Sequence, residues 1–283
     1  MRTVHTISEL RQQLNAARRA GQKIAFVPTM GNLHRGHMSL IEEAVSQADF
    51  VVASIFVNPL QFGANEDLDS YPKTLEKDQL KLKHYGCNLL FAPSAHEMYP
   101  RGSDIQTVVE VRSLSDEHCG KSRPTHFRGV ATVVTKLFGI VQPDIAVFGK
   151  KDYQQLAVIR QLTEDLSLPV EIIGVATGRA VSELALSSRN GYLTDVELKI
   201  APSLYATLKE IALQLKQGNC AFTELEEQAN QLLEAAGFTR DYVHIVRQCD
   251  LQPAQPGDHL LVILAAAQLG SARLIDNLEV ILN

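Results

Sequence analysis

The chain has 283 residues, of which 45% are hydrophobic and 21% charged, with a formal net charge of −5. That balance excludes a disordered chain, and no apolar run reaches the roughly 20 residues a membrane span needs. The negative balance gives no general attraction to nucleic acid, so any phosphate ligand must be held by a local cluster, and small molecules are the expected partners.

The length suits one large domain plus a smaller one. Cys87, Cys119, Cys220 and Cys249 are scattered without a CxxC pair, which reads as reduced thiols of a cytoplasmic protein. The N-terminus, with Arg2, Arg11, Arg18 and Arg19 but also Glu9, reads as an amphipathic helix rather than a transit peptide.

From residue 23 to 176, short β-rich runs alternate with helical patterns. The strand candidates are "KIAFVPT", "FVVASIFV", "NLLFAP", "DIAVFG" and "VEIIGVAT". In "GHMSLIEEAVSQA" the spacing of Met38, Ile41, Val45 and Ala48 predicts a helix burying that face, and "GVATVVTKLFGIV" and "DYQQLAVIRQLTEDL" read as later crossovers. Strands this apolar are covered on both faces, which predicts an α/β, Rossmann-like, doubly wound parallel sheet with ligands at the carboxyl ends of its strands. The run "TVVEV" reads as an edge strand open to a second subunit.

Near residue 177 the pattern changes. A loop-like stretch, "TGRAVSELALSSRNGYL", is followed by two helices, "VELKIAPSLYATLKEIALQLKQG" and "FTELEEQANQLLEAAG". Three strands close the chain: "DYVHIVRQ", "HLLVILAAA" and "ARLIDNLEV". The expected division is therefore 1–176 for the large domain and 177–283 for a smaller α+β domain.

Five polar clusters stand at strand ends or at the junction. In "PTMGNLHRGHMSL" a glycine turn leads from a strand into a helix, whose positive end suits phosphate, and His34 and His37 lie about one turn apart. A metal pair would need a third ligand that does not follow, and two histidines without a role remain a reading on spacing alone. "IFVNPLQF" puts the amides of Asn58 and Gln61 after the second strand. "KSRPTHFRGV" gathers Lys121, Arg123, His126 and Arg128 as an anion clamp or simply a basic helix start. "FGKKDYQQL" offers Lys151 at a strand end, Asp152 as a helix cap, and Gln155 four residues on; a solvated Lys-Lys turn is the alternative. "LALSSRNGYL" supplies Ser187, Ser188 and Arg189, donors for a polyphosphate, or only a turn around Asn190-Gly191.

Taken in this order, the five motifs closely resemble pantothenate synthetases, the ATP-dependent pantoate–β-alanine ligases of the HxGH nucleotidyltransferase superfamily. The likeness runs from the first strand to "RLIDN". It implies condensation of (R)-pantoate with β-alanine to pantothenate, through a pantoyl adenylate, with release of AMP and pyrophosphate. The resemblance makes the large domain the nucleotide- and pantoate-binding one and the smaller domain a lid. It places Met30, Gly31, Asn32, Leu33, His34, Arg35, Gly36 and His37 along ATP, with His34, His37 and Lys151 catalytic. Further ATP contacts are implied for Gly149, Lys150, Lys151 and Asp152, for Gly178, and for Leu186, Ser187, Ser188 and Arg189. Gln61 and Gln155 are implied for pantoate and Gln61 also for β-alanine, with Asn58, Tyr71 and Arg123 as lining residues. Mg²⁺ with the ATP and a homodimer through the large domain are expected, and the sequence names no protein ligand for the metal. Where the family usually has an Asp-Gly pair this chain has Ser182 and Glu183; Thr125 stands where glycine is common and Gly178 where a larger apolar residue is. The alternative function is an adenylyltransferase of the same superfamily acting on another small acceptor.

Overall fold

The computed structural model describes residues 1–63, 68 and 71–282. These fall into two compact units, one of Met1–Lys150 with Gln155–Ala176, the other of Lys151–Gln154 with Thr177–Asn283. Among the described residues no helix is long and apolar enough to cross a membrane.

The first unit is built on six parallel strands: β1 (Arg2–Val4), β2 (Ile24–Thr29), β3 (Phe50–Ile55), β4 (Leu89–Phe91), β5 (Ile145–Gly149) and β6 (Glu171–Val175). Between them run α1 (Ile7–Arg19), α2 (Arg35–Gln47), α3 (Leu75–His84), α4 (Ala95–Met98), α5 (Cys119–Ser122), α6 (His126–Val141) and α7 (Tyr153–Asp165). Their order in the sheet is β1-β4-β3-β2-β5-β6, every pair parallel, as expected for the doubly wound class. The order reverses direction between β2 and β5, which makes the carboxyl ends of those two strands the switch point where such sheets bind ligands.

Ile24, Ala25, Phe26 and Val27 of β2 are all buried, so the strand is covered on both faces as its unbroken apolar run predicts. Its register, Ile24 opposite Phe50 through Thr29 opposite Ile55, is anchored at the entry end, where the Asp144 carboxylate accepts the Ile24 N–H at 2.7 Å. A layer of Met38, Ile41 and Ala44 from α2 packs on Ala25, Val27, Ala53 and Val147. Each side chain of Leu or Met size buried there stabilises by about 1.5–3 kcal/mol. Cys87 belongs to this layer, and burial pushes its thiol up to about 11, leaving it protonated.

Several expectations are corrected. The buried face of α2 runs through Met38, Leu40, Ile41 and Ala44, whose centre lies to one side of Met38, so that Val45 falls at its margin and is exposed. The amphipathic helix expected at the N-terminus is α1, which begins after Thr6 in a capping box with Glu9; ahead of it stands an additional strand, β1, which pairs with β4. Residues 107–111, "TVVEV", form no strand: the Val109 N–H donates at 2.9 Å to the Thr132 hydroxyl of α6, a local bond in place of a ladder.

In the second unit α8 (Asp195–Ile200), α9 (Ser203–Lys216) and α10 (Phe222–Ala235) accompany an antiparallel sheet ordered β7-β8-β9, with β7 (Thr239–Arg247), β8 (Leu260–Leu269) and β9 (Ala272–Ile281). The apolar run of β8 is the central strand, and Leu261, Ile263 and Ala265 pack against Leu208, Ile211 and Leu225 of the helices. The single long helix expected from residue 196 is two, because Pro202 lacks the N–H that would carry the ladder through.

Candidate functional site

β2 ends in a four-residue turn that must reverse toward α2. Gly31 and Asn32 adopt left-handed φ values of 87° and 50°, and a Cβ on Gly31 would stand 3.1 Å from Ile55 Cγ2. The turn is held from α3. The Asp78 carboxylate, fully buried, accepts the Asn32 N–H at 2.8 Å and the Leu33 N–H at 2.9 Å, while the Thr74 hydroxyl donates to it at 2.9 Å. Lys81 donates its ammonium to the Leu33 carbonyl.

α2 then opens with an unusual cap. His34, in extended backbone at the N-cap, accepts the Gly36 N–H on Nδ1 at 3.1 Å, and His37 accepts the His34 N–H on its own Nδ1 at 3.3 Å. The two rings lie 4.1 Å apart between centroids, tilted by 46°. This reciprocal pattern is a capping box made with imidazoles in place of hydroxyl and carboxylate. It has a chemical consequence: a nitrogen that accepts a backbone N–H carries no proton, so the ring proton of each histidine is on Nε2. Both residues therefore offer Nε2–H donors. A metal pair would need a bare Nε2 and a proton on Nδ1, where backbone N–H groups already point. Among the described residues, no group of three or more His, Cys, Asp or Glu could hold a metal ion. The first-turn N–H of Gly36 is spent on His34 and that of His37 on the His34 carbonyl.

Gln61 sits in a 3₁₀ turn, Pro59–Gln61, just beyond β3. Its main-chain carbonyl accepts from His126 Nδ1 at 2.8 Å. Arg123 Nη1 lies 3.1 Å from His126 Nε2, and since guanidinium only donates, the ring proton belongs on Nδ1. Arg123 and His126 thus turn inward to hold this turn, while Lys121 and Arg128 stay exposed. The side-chain amide of Gln61 accepts from Asn58 Nδ2 at 3.2 Å and donates to Met30 Sδ at 3.0 Å, which joins the turn to the β2 loop. The close approach of α6 depends on Gly129, where a Cβ would meet the Leu60 carbonyl oxygen at 2.2 Å. Thr125, before α6, has a φ of 71°. Tyr71 is buried with its ring edge-on to Phe62, and Gln155 is half-buried on α7.

Gly149 and Lys150 close β5 in the same unit as His34 and His37, whereas Lys151 and Asp152 fold with the second unit. There the Lys151 carbonyl accepts from Asn277 Nδ2 at 2.9 Å, and Tyr153 donates its hydroxyl to Glu279 at 3.0 Å. Residues 178–186 form a small hairpin, with Leu186 N–H donating to the Gly178 carbonyl and Ala180 N–H to that of Leu184, both at 2.9 Å. Arg179 fastens it: both guanidinium Nη atoms donate to Asp276, at 2.7 and 2.8 Å, and the group lies 3.4 Å over the Tyr205 ring. Glu183, at the tip, has a φ of 68° and pairs with Lys209. Ser187 caps a 3₁₀ turn, Ser188–Tyr192, by accepting the Arg189 N–H at 3.2 Å, and Asn190 and Gly191 fall inside that turn.

Asp78, Tyr99, Asp276 and Asn277 do not stand out in the sequence. Asp78 lies in "LEKDQLKLKH", a stretch indistinguishable from a solvated helix face, and only "RLIDN" hints at the last two.

A parallel sheet whose switch-point loop runs into a helix N-terminus carrying two imidazoles defines an α/β protein of the doubly wound class, whose ligands bind at that edge. Residues 2–279 match the family model described as pantoate-beta-alanine ligase. A pantothenate synthetase of Pseudomonas fluorescens (strain SBW25) is 59% identical over 283 residues, covering 100% of both chains. The crystal structure of a Thermus thermophilus pantothenate synthetase superposes with a TM-score of 0.92 at 46% identity, covering 98% of this chain and 99% of that one. A Francisella tularensis pantoate-beta-alanine ligase, solved in complex with beta-gamma ATP and beta-alanine, superposes with a TM-score of 0.82 at 36% identity over 98% and 97% of the two chains. The chain belongs to the pantoate–β-alanine ligase family and has its ATP-dependent ligase activity.

Proposed function

We propose that the residues assigned above carry the condensation of (R)-pantoate with β-alanine through a pantoyl adenylate. A carboxylate is a poor electrophile, so it is first activated. The pantoate carboxylate attacks the α-phosphorus of ATP and pyrophosphate leaves; the β-alanine amine then attacks the acyl carbonyl and expels AMP. Attack on phosphorus crowds negative charge onto the non-bridging and leaving oxygens, and donors fixed in advance on those oxygens are the main catalytic contribution. His34 and His37 meet that need with Nε2–H groups whose orientation the cap at α2 sets, and this is the observation that carries the reading. Lys151 contributes a charge to the phosphates. Ser187, Ser188 and Arg189, with Met30–His37, Gly149–Asp152, Gly178 and Leu186, complete the ATP contacts. Gln61 and Gln155 take pantoate, and Gln61 also lies at the β-alanine position. No protein nucleophile is required, because the substrate brings its own.

Mg²⁺ enters as part of the MgATP substrate, held by phosphates and water, as this ion prefers. The donor set supports that: Asp78, beside the loop, has both oxygens engaged by N–H and O–H groups. We place the enzyme in the cytoplasm, where ATP is supplied, and as a homodimer through the first unit. The exposed Ile105 and Val108 of that unit support the contact. Sedimentation tests the dimer.

The reaction is tested by pantoate-dependent exchange of labelled pyrophosphate into ATP, followed by β-alanine-dependent release of AMP. Exchange that ignores pantoate, or AMP release that ignores β-alanine, would sink the reading, and the first without the second would return it to an adenylyltransferase.

A further inference from the structure

We propose that the main chain at Gly129 and Leu60 sets the hydrogen-bonding polarity of the pantoate subsite and that Tyr99 holds Asn58 in that orientation, so that Gln61 meets the substrate with N–H donors. The proposal rests on the assignment of Gln61 to pantoate. Its ground is that two backbone groups leave the amide chain only one orientation. The Gly129 carbonyl can only accept, and it lies 3.1 Å from Asn58 Nδ2. The Leu60 N–H can only donate, and it lies 3.4 Å from Asn58 Oδ1. Asn58 is therefore set with its nitrogen toward Gly129 and Gln61 and its oxygen toward Tyr99, whose hydroxyl donates at 2.8 Å. Asn58 then occupies the oxygen of Gln61, and the Gln61 nitrogen is turned toward Met30 Sδ, a weak acceptor that a substrate oxygen displaces.

Of the two donors to Asn58 Oδ1, the backbone one is long, so the phenol is the stronger. Tyr99 is buried, and that burial pushes its hydroxyl well above the ordinary tyrosine range, keeping it a donor throughout the working pH range. Its ring is held independently of the hydroxyl, 6.0 Å from Phe56 with Lys136 5.1 Å from its centroid, so the aromatic ring stays in place without the oxygen. The subsite suits a ligand that presents oxygen lone pairs, as a carboxylate or hydroxyl does, and rejects one that presents a donor there. Tyr99 touches Asn58 rather than substrate, and is a positioning residue.

Steady-state kinetics of Tyr99→Phe, Gln61→Ala and the double variant provide the test. Tyr99→Phe is expected to raise the pantoate KM about 3- to 10-fold, the value of one neutral hydrogen bond, with ATP KM and kcat changed less than about twofold. In the Gln61→Ala background the same substitution should add nothing, since its effect runs through the deleted amide. An unchanged pantoate KM, equal rises in pantoate and ATP KM, or multiplicative effects in the double variant would overturn the role of Tyr99 while leaving Gln61 in place. Gln61→Ala with an unchanged pantoate KM would overturn the assignment beneath it. If Tyr99→Phe does not fold, Asn58→Asp gives the same reading: it sets an oxygen against the oxygens of Gly129 and Gln61, and an unchanged pantoate KM there overturns the proposal.

Discussion

Replacing Asp78 by asparagine tests whether the imidazole pair is held in position from α3. The carboxylate has three acceptor contacts, with the N–H groups of Asn32 and Leu33 and the hydroxyl of Thr74. An amide has one oxygen for these, so whichever way it turns one backbone N–H loses its acceptor and faces a donor. An unsatisfied buried N–H costs about 1–3 kcal/mol, and the remaining bonds drop from charge-assisted to neutral strength, a further ~1 kcal/mol. The sum, roughly 2–4 kcal/mol, falls on the four residues that deliver His34. If the loop releases locally, its competent population falls by roughly 30- to 1,000-fold. A domain with the usual 5–15 kcal/mol of stability remains folded. Pantoate-dependent pyrophosphate exchange at subsaturating ATP should therefore fall by at least about tenfold, with a cooperative urea transition retained. Thr74→Val removes a single hydroxyl and should cost only a few-fold. Wild-type exchange and ATP KM in Asp78→Asn, or a larger effect from Thr74→Val, would refute the reasoning.

His37→Ala and Lys151→Ala should each slow adenylation by roughly 10²–10³, the usual loss for one preorganised donor, measured by single-turnover AMP transfer; wild-type rates would show the site is misplaced. Glu183→Gly relieves a left-handed residue, worth about 1 kcal/mol, and removes a solvent-exposed pair with Lys209 worth about as much or less. Its stability should stay within about 1 kcal/mol while the rate or the ATP KM shifts, and a large stability loss with unchanged kinetics would contradict this. Glu226 accepts the Ile245 N–H at 2.6 Å, yet burial outweighs that bond and raises its carboxyl above the ordinary glutamate value. The native state then holds its proton longer than the unfolded chain does, so stability is greatest below the unfolded value and declines as pH rises toward the native one. Urea titrations across acidic pH should show this decline in the parent and its loss in Glu226→Gln; identical profiles would exclude it.

The parallel sheet was legible because buried strands read as unbroken apolar runs, and "DIAVFG" and "VEIIGVAT" fall on β5 and β6 within a residue or two. β1 has three residues, too few to show a period, and it exists because β4 offers it an edge. "TVVEV" has strand composition, but the Thr132 hydroxyl satisfies Val109 first. His34, His37, Lys151 and Gln61 could be named as candidates because each stands in a polar motif that follows a strand, at the edge where doubly wound sheets take ligands. Asp78 could not be, because burial of a carboxylate against main-chain N–H groups leaves no trace in neighbouring residues. Thr125 and Glu183, where the resemblance led glycine to be expected, both occupy left-handed backbone, so this chain bears the strain that glycine would avoid.

β9 sets Asp276 and Asn277 side by side, opposite Ala265 and Leu264 of β8. One fastens the hairpin through Arg179 and the other steadies the carbonyl of Lys151. Successive strand residues point to opposite faces, so a slip of one position against β8 would send each side chain to the wrong side. A chain so misregistered would look well folded by its secondary structure and yet lose both anchors together, so that in the second unit strand alignment is itself a condition for holding the hairpin and the Lys151 carbonyl.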